Sequence, residues 1–139
     1  LSEFTTVLAV ETSTKACSVA LINQGKEFSR HEILPQKHAH RVLEMVDEVL
    51  QESTVAKADI DLLAYGEGPG AFTGIRIASG VIQGLALGLN KPVSAISSLS
   101  AMAEDYFSNN SFDNEQAFAC LLDARMSEVY LLLGSFDNN

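Results

Sequence analysis

The segment Val7-Leu8-Ala9-Val10-Glu11-Thr12-Ser13-Thr14-Lys15-Ala16-Cys17-Ser18-Val19-Ala20-Leu21-Ile22 decides the fold. It is two apolar runs separated by an acid and three hydroxyls, and Asn23-Gln24-Gly25 ends the second run. That pattern predicts a buried strand, a polar turn, a second strand and a tight turn. Glu27 to Leu34 can pair as a third strand, more polar and so nearer an edge, closed by Pro35.

Working outward, Val42, Leu43, Met45, Val46, Val49 and Leu50 recur at helical spacing among charged residues, which predicts a helix over 37–53. Its apolar arc is wide enough for two packing partners. Asp61 to Tyr65 reads as a fourth strand ending at Gly66. From Leu62 to Ala103 the only charged residues are Glu67, Arg76 and Lys91, and seven of the 9 glycines fall there. This predicts a glycine loop at 66–70 and a helix over 71–89. Pro92 to Ile96 is a fifth strand, and Ser97 or Ser98 can cap a helix through Phe107. After a polar linker at 109–114, Ala117 to Leu122 and Val129 to Leu133 read as strands around a turn at 123–126. VLAV-ETSTKA-CSVALI and FACLL-DARMSE-VYLLL share the order strand, acid-led turn, strand, a weak repeat with Glu11 and Asp123 in matching positions.

The fold class expected is therefore α/β, a mixed five-stranded sheet with helices on one or both faces. Residues 1–107 form one lobe, and 108–139 form a linker and the opening hairpin of a second, truncated one. The 139 residues carry 9 basic and 18 acidic side chains, a net charge of 9 − 18 = −9. That balance argues against gripping a phosphate backbone unaided. A hydrophobic content of 47% excludes disorder as the main state. Cys17 and Cys120 are too few for a disulfide framework or a cysteine-rich zinc site. The first residues lack the pattern of a signal peptide, and the charge-free run 77–89 is shorter than a membrane span of roughly 18 residues. A cytoplasmic protein without a membrane segment is the expectation.

Gly66-Glu67-Gly68-Pro69-Gly70-Ala71-Phe72-Thr73-Gly74 precedes a helix, so its amides can form a nest for a phosphate or carboxylate. It has neither the P-loop lysine nor Rossmann spacing, and on pattern alone a glycine turn for tight helix packing is the favoured reading. Thr12, Ser13 and Thr14 can touch a nucleotide phosphate, or simply stabilise a turn. With Gly68, Gly70, Thr73 and Gly74 they form the candidate nucleotide site. His38 and His40 point about 200° apart on a helix and cannot share a metal. With His31 they read as ordinary surface histidines. Ser13 and Ser18 lack a nucleophile elbow. No catalytic residue and no metal ligand is assigned. Gly80, Gly84 and Gly88 form a stripe at i+4 spacing that lets another element approach closely, either a partner or the sheet.

VLAVETSTKACSVAL, GEGPGAFTGIRIASG and LLDARMSEVY, in that order, resemble the TsaB (YeaZ) family of the actin/sugar-kinase/Hsp70 ATPase superfamily. Glu11 departs from the Asp common there, and the chain lacks most of that family's second lobe. The resemblance implies a part in forming N6-threonylcarbamoyladenosine at position 37 of tRNA. It implies a non-catalytic scaffold that binds a TsaD-like paralogue, with a TsaE-like ATPase joining them. ATP and a metal ion then belong to the partner complex, with no cofactor in this chain, and tRNA is met only through the complex. It also implies pairing of equivalent helices, through Val42, Val46, Val49, Ile77, Gly80, Val81, Gly84, Leu85 and Gly88. Self-association is expected when the partner is absent. The alternatives are an ATP-dependent ATPase or phosphotransferase and, from naming tradition, a glycoprotease-like peptidase.

Overall fold

The structure, a computed structural model, describes residues 4–34, 38–112 and 114–137. The expected closure at Pro35 and helix start at Lys37 lie outside the described residues. The chain order is β1 (Thr6–Glu11), β2 (Ala16–Asn23), β3 (Lys26–Ile33), α1 (His38–Ser53), β4 (Leu62–Gly68), α2 (Phe72–Leu89), β5 (Val93–Ser97), α3 (Ser98–Ser108), β6 (Gln116–Arg125) and β7 (Glu128–Phe136). A short 3-10 turn, Lys57–Asp59, leads into β4.

The first five strands make one mixed sheet in the order β3-β2-β1-β4-β5. β1, β2 and β3 form an antiparallel meander, while β4 and β5 join β1 in parallel. Gln24 and Gly25, both at positive φ, supply the two-residue turn between β2 and β3. This order, with helical crossovers before β4 and β5, is the ribonuclease H-like lobe of actin-like ATPases. β6 and β7 form a separate antiparallel hairpin. It packs on α3 through aromatic rings, Phe107 stacking on Phe136 at 4.2 Å and meeting Phe118 edge-on at 5.3 Å.

The two sheet faces differ in side-chain size. Leu8, Val10, Val19, Leu21 and Leu63 point to one face and are buried beneath Val42, Met45, Val46 and Val49 of α1 and Ala78 and Ile82 of α2. This layer is the core. The opposite face carries Ala9, Ala20, Ala64 and Gly66, and α3 covers only its β4–β5 end. Ser97 caps α3, its hydroxyl accepting from the Ser100 amide.

Two boundaries move from their sequence positions. β4 runs on through Glu67 and Gly68, with its register against β5 breaking between Gly66 and Gly68. The second hairpin turns at 126–127 rather than 123–126, with Arg125, Met126 and Ser127 all at positive φ. The Arg125 amide donates to the Asp123 carboxylate at 2.7 Å, where the register of β6 against β7 breaks between Asp123 and Arg125.

Polar bonds tie the periphery. Arg41 pairs with Glu32, Glu44 and Glu48, and Arg30 with Glu48 and Glu52, which fastens edge strand β3 to α1. Hydrogen bonds from Arg41 hold the Glu32 and Glu48 carboxyls below the usual range. At the sheet's lower end, Asp61 accepts from the Thr5 amide and hydroxyl at 3.0 Å each and from the Thr6 amide at 2.9 Å. Those donors, the Thr6 amide foremost, hold its carboxyl below the ordinary aspartate value. A depressed carboxyl stabilises the fold above its unfolded pKa, about 4, and that contribution is lost as pH falls through the lowered folded value. Asp61→Asn is therefore expected to lower the melting temperature at pH 7. The gap to the unaltered chain should close progressively in melts below about pH 4, and a gap constant with pH would contradict the assignment.

Candidate functional site

Pairing of β1 with β4 sets Val10 opposite Tyr65, so Glu11 emerges beside Gly66. The Glu11 side chain lies across that glycine: a Cβ at position 66 would sit 1.7 Å from its Oε2. The same carboxylate accepts from the Ser13 amide. Glu11 thus folds back on its own turn, which starts the close approach that follows.

The turn reaches the start of α2. The Thr12 hydroxyl donates to the Gly74 carbonyl at 2.6 Å, and the Ala71 amide donates to the Ser13 carbonyl at 2.7 Å. A Cβ on Gly74 would sit 1.8 Å from the Thr12 carbonyl oxygen, and one on Gly70 would sit 2.7 Å from the Ser13 carbonyl oxygen. Ala71, the N-cap, makes no side-chain cap of its own, so the Ser13 carbonyl serves an amide at the helix start. Gly68 holds φ +96°, with a built Cβ 2.6 Å from Ile75 Cδ1.

The structure therefore brings Thr12, Ser13, Gly70 and Gly74 into direct contact, with Gly68 next to them. Thr12 and Ser13 are buried, at 0% and 3% exposure, and Thr14 and Thr73 face solvent on the rim. The Thr14 hydroxyl accepts from the Ala16 amide within its own turn. Chemically, this arrangement satisfies a helix terminus with backbone and hydroxyl groups of the same chain. Of the two readings of the glycine segment, the geometry displays the packing one.

The helical surface divides differently from the sequence expectation. Val42, Val46 and Val49 are 0–2% exposed, because the wide arc of α1 is spent on the sheet and on α2. They are core residues, and their placement on an interface is corrected. Ile77, Val81 and Leu85 are half-buried against the same core. Gly80, Gly84 and Gly88 face outward, with nothing within 4 Å of a built Cβ, so the glycine stripe does not line the sheet. Phe72 and Leu87 stand 73% and 87% exposed on the same helix, with Arg76 over the Phe72 ring at 5.2 Å. Arg76 is the one charged residue of α2. With 18 residues, α2 is long and apolar enough to cross a membrane by length and composition, beyond what the run 77–89 suggests. Here it packs on the sheet through Ala78 and Ile82.

One feature escapes the sequence reading. A groove of about 450 Å³ lies on the small-residue face, floored by Ala9, Ala20 and Ala64. On its wall the Ser18 hydroxyl meets His31 Nδ1 at 2.7 Å. The signal was the register Ser18↔His31, which only sheet pairing supplies. Cys17, on the buried face, has its thiol pushed up by burial and then by the Glu32 charge, so it stays protonated. Among the described residues no group of three His, Cys, Asp or Glu could hold a metal ion.

Comparison with known proteins adds context. Residues 30–137 match a family model described as TsaD, tRNA N6-adenosine threonylcarbamoyltransferase. The chain is 46% identical over 125 residues to the tRNA threonylcarbamoyladenosine biosynthesis protein TsaB of Haemophilus influenzae, covering 90% of this chain and 52% of that protein. It is 45% identical over 124 residues to TsaB of Escherichia coli, covering 89% and 52%. The solved structure of YeaZ from Pseudomonas aeruginosa superposes with a TM-score of 0.82 at 45% identity, over 97% of this chain and 61% of that one. The chain spans about half the length of the curated relatives it matches.

Two glycines of one helix make opposite predictions. Gly74→Ala forces a Cβ against backbone and is expected to cost about 3 kcal/mol of stability. Gly84→Ala meets open space in a helix interior and is expected to add about 0.5–1 kcal/mol. Urea unfolding of the two variants checks the sign of each.

Proposed function

The chain belongs to the family described as tRNA N6-adenosine threonylcarbamoyltransferase, on its TsaB (YeaZ) side, and we propose that it is a non-catalytic scaffold in N6-threonylcarbamoyladenosine formation on tRNA. Its partner in this reading is a TsaD-type transferase, the paralogue that its family model describes. A TsaE-like ATPase joins the assembly, and ATP and a metal ion belong to those partners. A second copy takes the transferase's place when the transferase is absent. The setting is the cytoplasm. Residues 1–107 act as the docking lobe, and the hairpin after them opens a second lobe.

The observation that carries the reading is α2. A helix that turns three glycines, Phe72 and Leu87 outward presents apolar surface with a shaved track for close backbone approach. Little else in the lobe explains why those residues face water. The contact set is then Gly80, Gly84 and Gly88 with Leu87 and the outer edges of Ile77, Val81 and Leu85. The candidate nucleotide residues Thr12, Ser13, Thr14, Gly68, Gly70, Thr73 and Gly74 take no catalytic part in it.

The test is a titration of the purified chain with the TsaD-type paralogue, followed by a tRNA modification assay with and without this chain. Leu87→Glu and Gly84→Leu alter exposed positions and are expected to weaken the complex about tenfold or more while the chain stays folded. Val46→Glu would bury a carboxylate in the core and is unsuitable. Steady ATP turnover by the isolated chain, abolished at Thr12 or Ser13, would overturn the scaffold reading in favour of an ATPase.

A second expectation follows from charge. At −9 the chain displaces few counterions from a nucleic acid. Filter binding of tRNA to the isolated chain should be weak, and tight salt-sensitive binding would contradict the proposal.

A further inference from the structure

We infer that the hydroxyl turn at 12–13 and the glycines at 70 and 74 form a latch that sets the pose of α2, which makes Thr12 a positioning residue for the docking surface. The inference rests on the reading of α2 as that surface.

Three observations converge. The latch joins the first turn of α2 to the end of β1 by two hydrogen bonds, Thr12 Oγ1 to the Gly74 carbonyl and the Ala71 amide to the Ser13 carbonyl. It is fully closed, because Gly74 approaches the Thr12 carbonyl more nearly than any Cβ permits. The rest of the helix is held by apolar contact: Ala78 and Ile82 are buried, Ile77, Val81 and Leu85 are half-buried on the same core, and Gly80, Gly84 and Gly88 contribute no side chain. An 18-residue helix seated on apolar contacts, which carry no direction, can slide or tilt on the sheet. A fixed point at its N-terminus removes that freedom. Every outward residue from Phe72 to Gly88 then takes its place relative to the sheet from the latch.

The groups with candidate nucleotide character thus act on a protein partner at a distance. Thr12 is buried and Gly80, Gly84 and Gly88 are outward, so Thr12 does not reach the docking face itself.

The experiment compares Thr12→Val, Thr12→Ser and a remote core variant, Val19→Ala, for binding to the TsaD-type paralogue. Hydrogen exchange of residues 72–76 is followed in each free chain. Thr12→Val is isosteric and removes only the hydroxyl. The expected result is a complex weakened about fivefold, faster exchange in the first turn of α2, and recovery of both by Thr12→Ser. Val19→Ala should lower the melting temperature at least as far yet bind normally, which separates positioning from stability. If Thr12→Val binds and exchanges like the unaltered chain while Leu87→Glu loses the complex, the latch is overturned and the docking reading stands. If Leu87→Glu also binds normally, α2 is not the docking surface and both fall. If Val19→Ala weakens binding as much as Thr12→Val, the effect is general stability and the latch is overturned. Gly74→Ala strains the same latch from the other side and should reproduce the Thr12→Val exchange pattern.

Discussion

The contact between the Thr12 carbonyl and Gly74 is the constraint from which the rest of the lobe takes its shape. A Cβ there would sit 1.8 Å from an oxygen, so the backbones of β1 and α2 meet where no other residue fits. Close approach at that point fixes where α2 begins, and the parallel pairing of β4 beside β1 fixes the line along which it returns. Glu11 supports it by filling the space above Gly66 and bonding the Ser13 amide. Three glycines, at 66, 70 and 74, each leave room for a different part of the segment Glu11-Thr12-Ser13. Glycine is costly in a helix, and at Gly74 that cost is offset by a helix start that needs no side-chain cap.

The same economy explains the two sheet faces. Large aliphatic side chains from alternate positions of β1, β2 and β4 meet two helices and bury completely. The opposite positions include Ala9, Ser18, Ala20, Ala64 and Gly66, and this face meets α3 only at one end. At roughly 25 cal/mol per Å² the first face supplies most of the hydrophobic stabilisation of the lobe. The second supplies little by itself. The β3–α1 ion pairs lie at the surface, where such bonds contribute modestly. Stability is thus concentrated in one layer, and α2 sits at its margin with half its circumference outside.

Much of this was legible in the sequence because it is periodic. Apolar runs at 7–10 and 16–22 and helical spacing in 42–50 gave the elements, and the apolar stretch around seven glycines gave the crossover into α2. What was not legible is direction. Val42, Val46 and Val49 look alike whether they meet a sheet or a partner, since spacing marks an apolar face and not its occupant. The sheet filled that face, and only then did the outward turn of Gly80, Gly84 and Gly88 become visible. The glycine loop was ambiguous for a related reason. A nest for an anion and a cradle for a neighbouring carbonyl need the same small residues. The Thr12–Gly74 bond spans 62 positions, a separation that no local pattern records. Glu11 departs from the Asp common in the family that the motifs resemble, and its length is what carries it across Gly66 to the Ser13 amide.

Charge distribution bears on which partner suits the exposed helix. The acidic excess sits on α3 and the residues after it, where 98–139 carry seven acidic side chains against Arg125, while the six acids of 26–57 are nearly balanced by five basic residues. α2 carries a single charge, Arg76, and that guanidinium lies over Phe72. A face with one charge on a chain of −9 is desolvated cheaply when it docks, because few ions must be stripped of water. Long-range repulsion acts nonetheless between whole molecules. Two copies of this chain bring equal charges of −9 together, whereas a paralogue of lower negative charge does not. Screening reaches only about 8 Å at physiological salt, so repulsion weakens the homodimer most in dilute buffer and least in concentrated salt. In the docking proposed above, α2 would give either partner the same apolar contact, and charge elsewhere on the chain would favour the less acidic one.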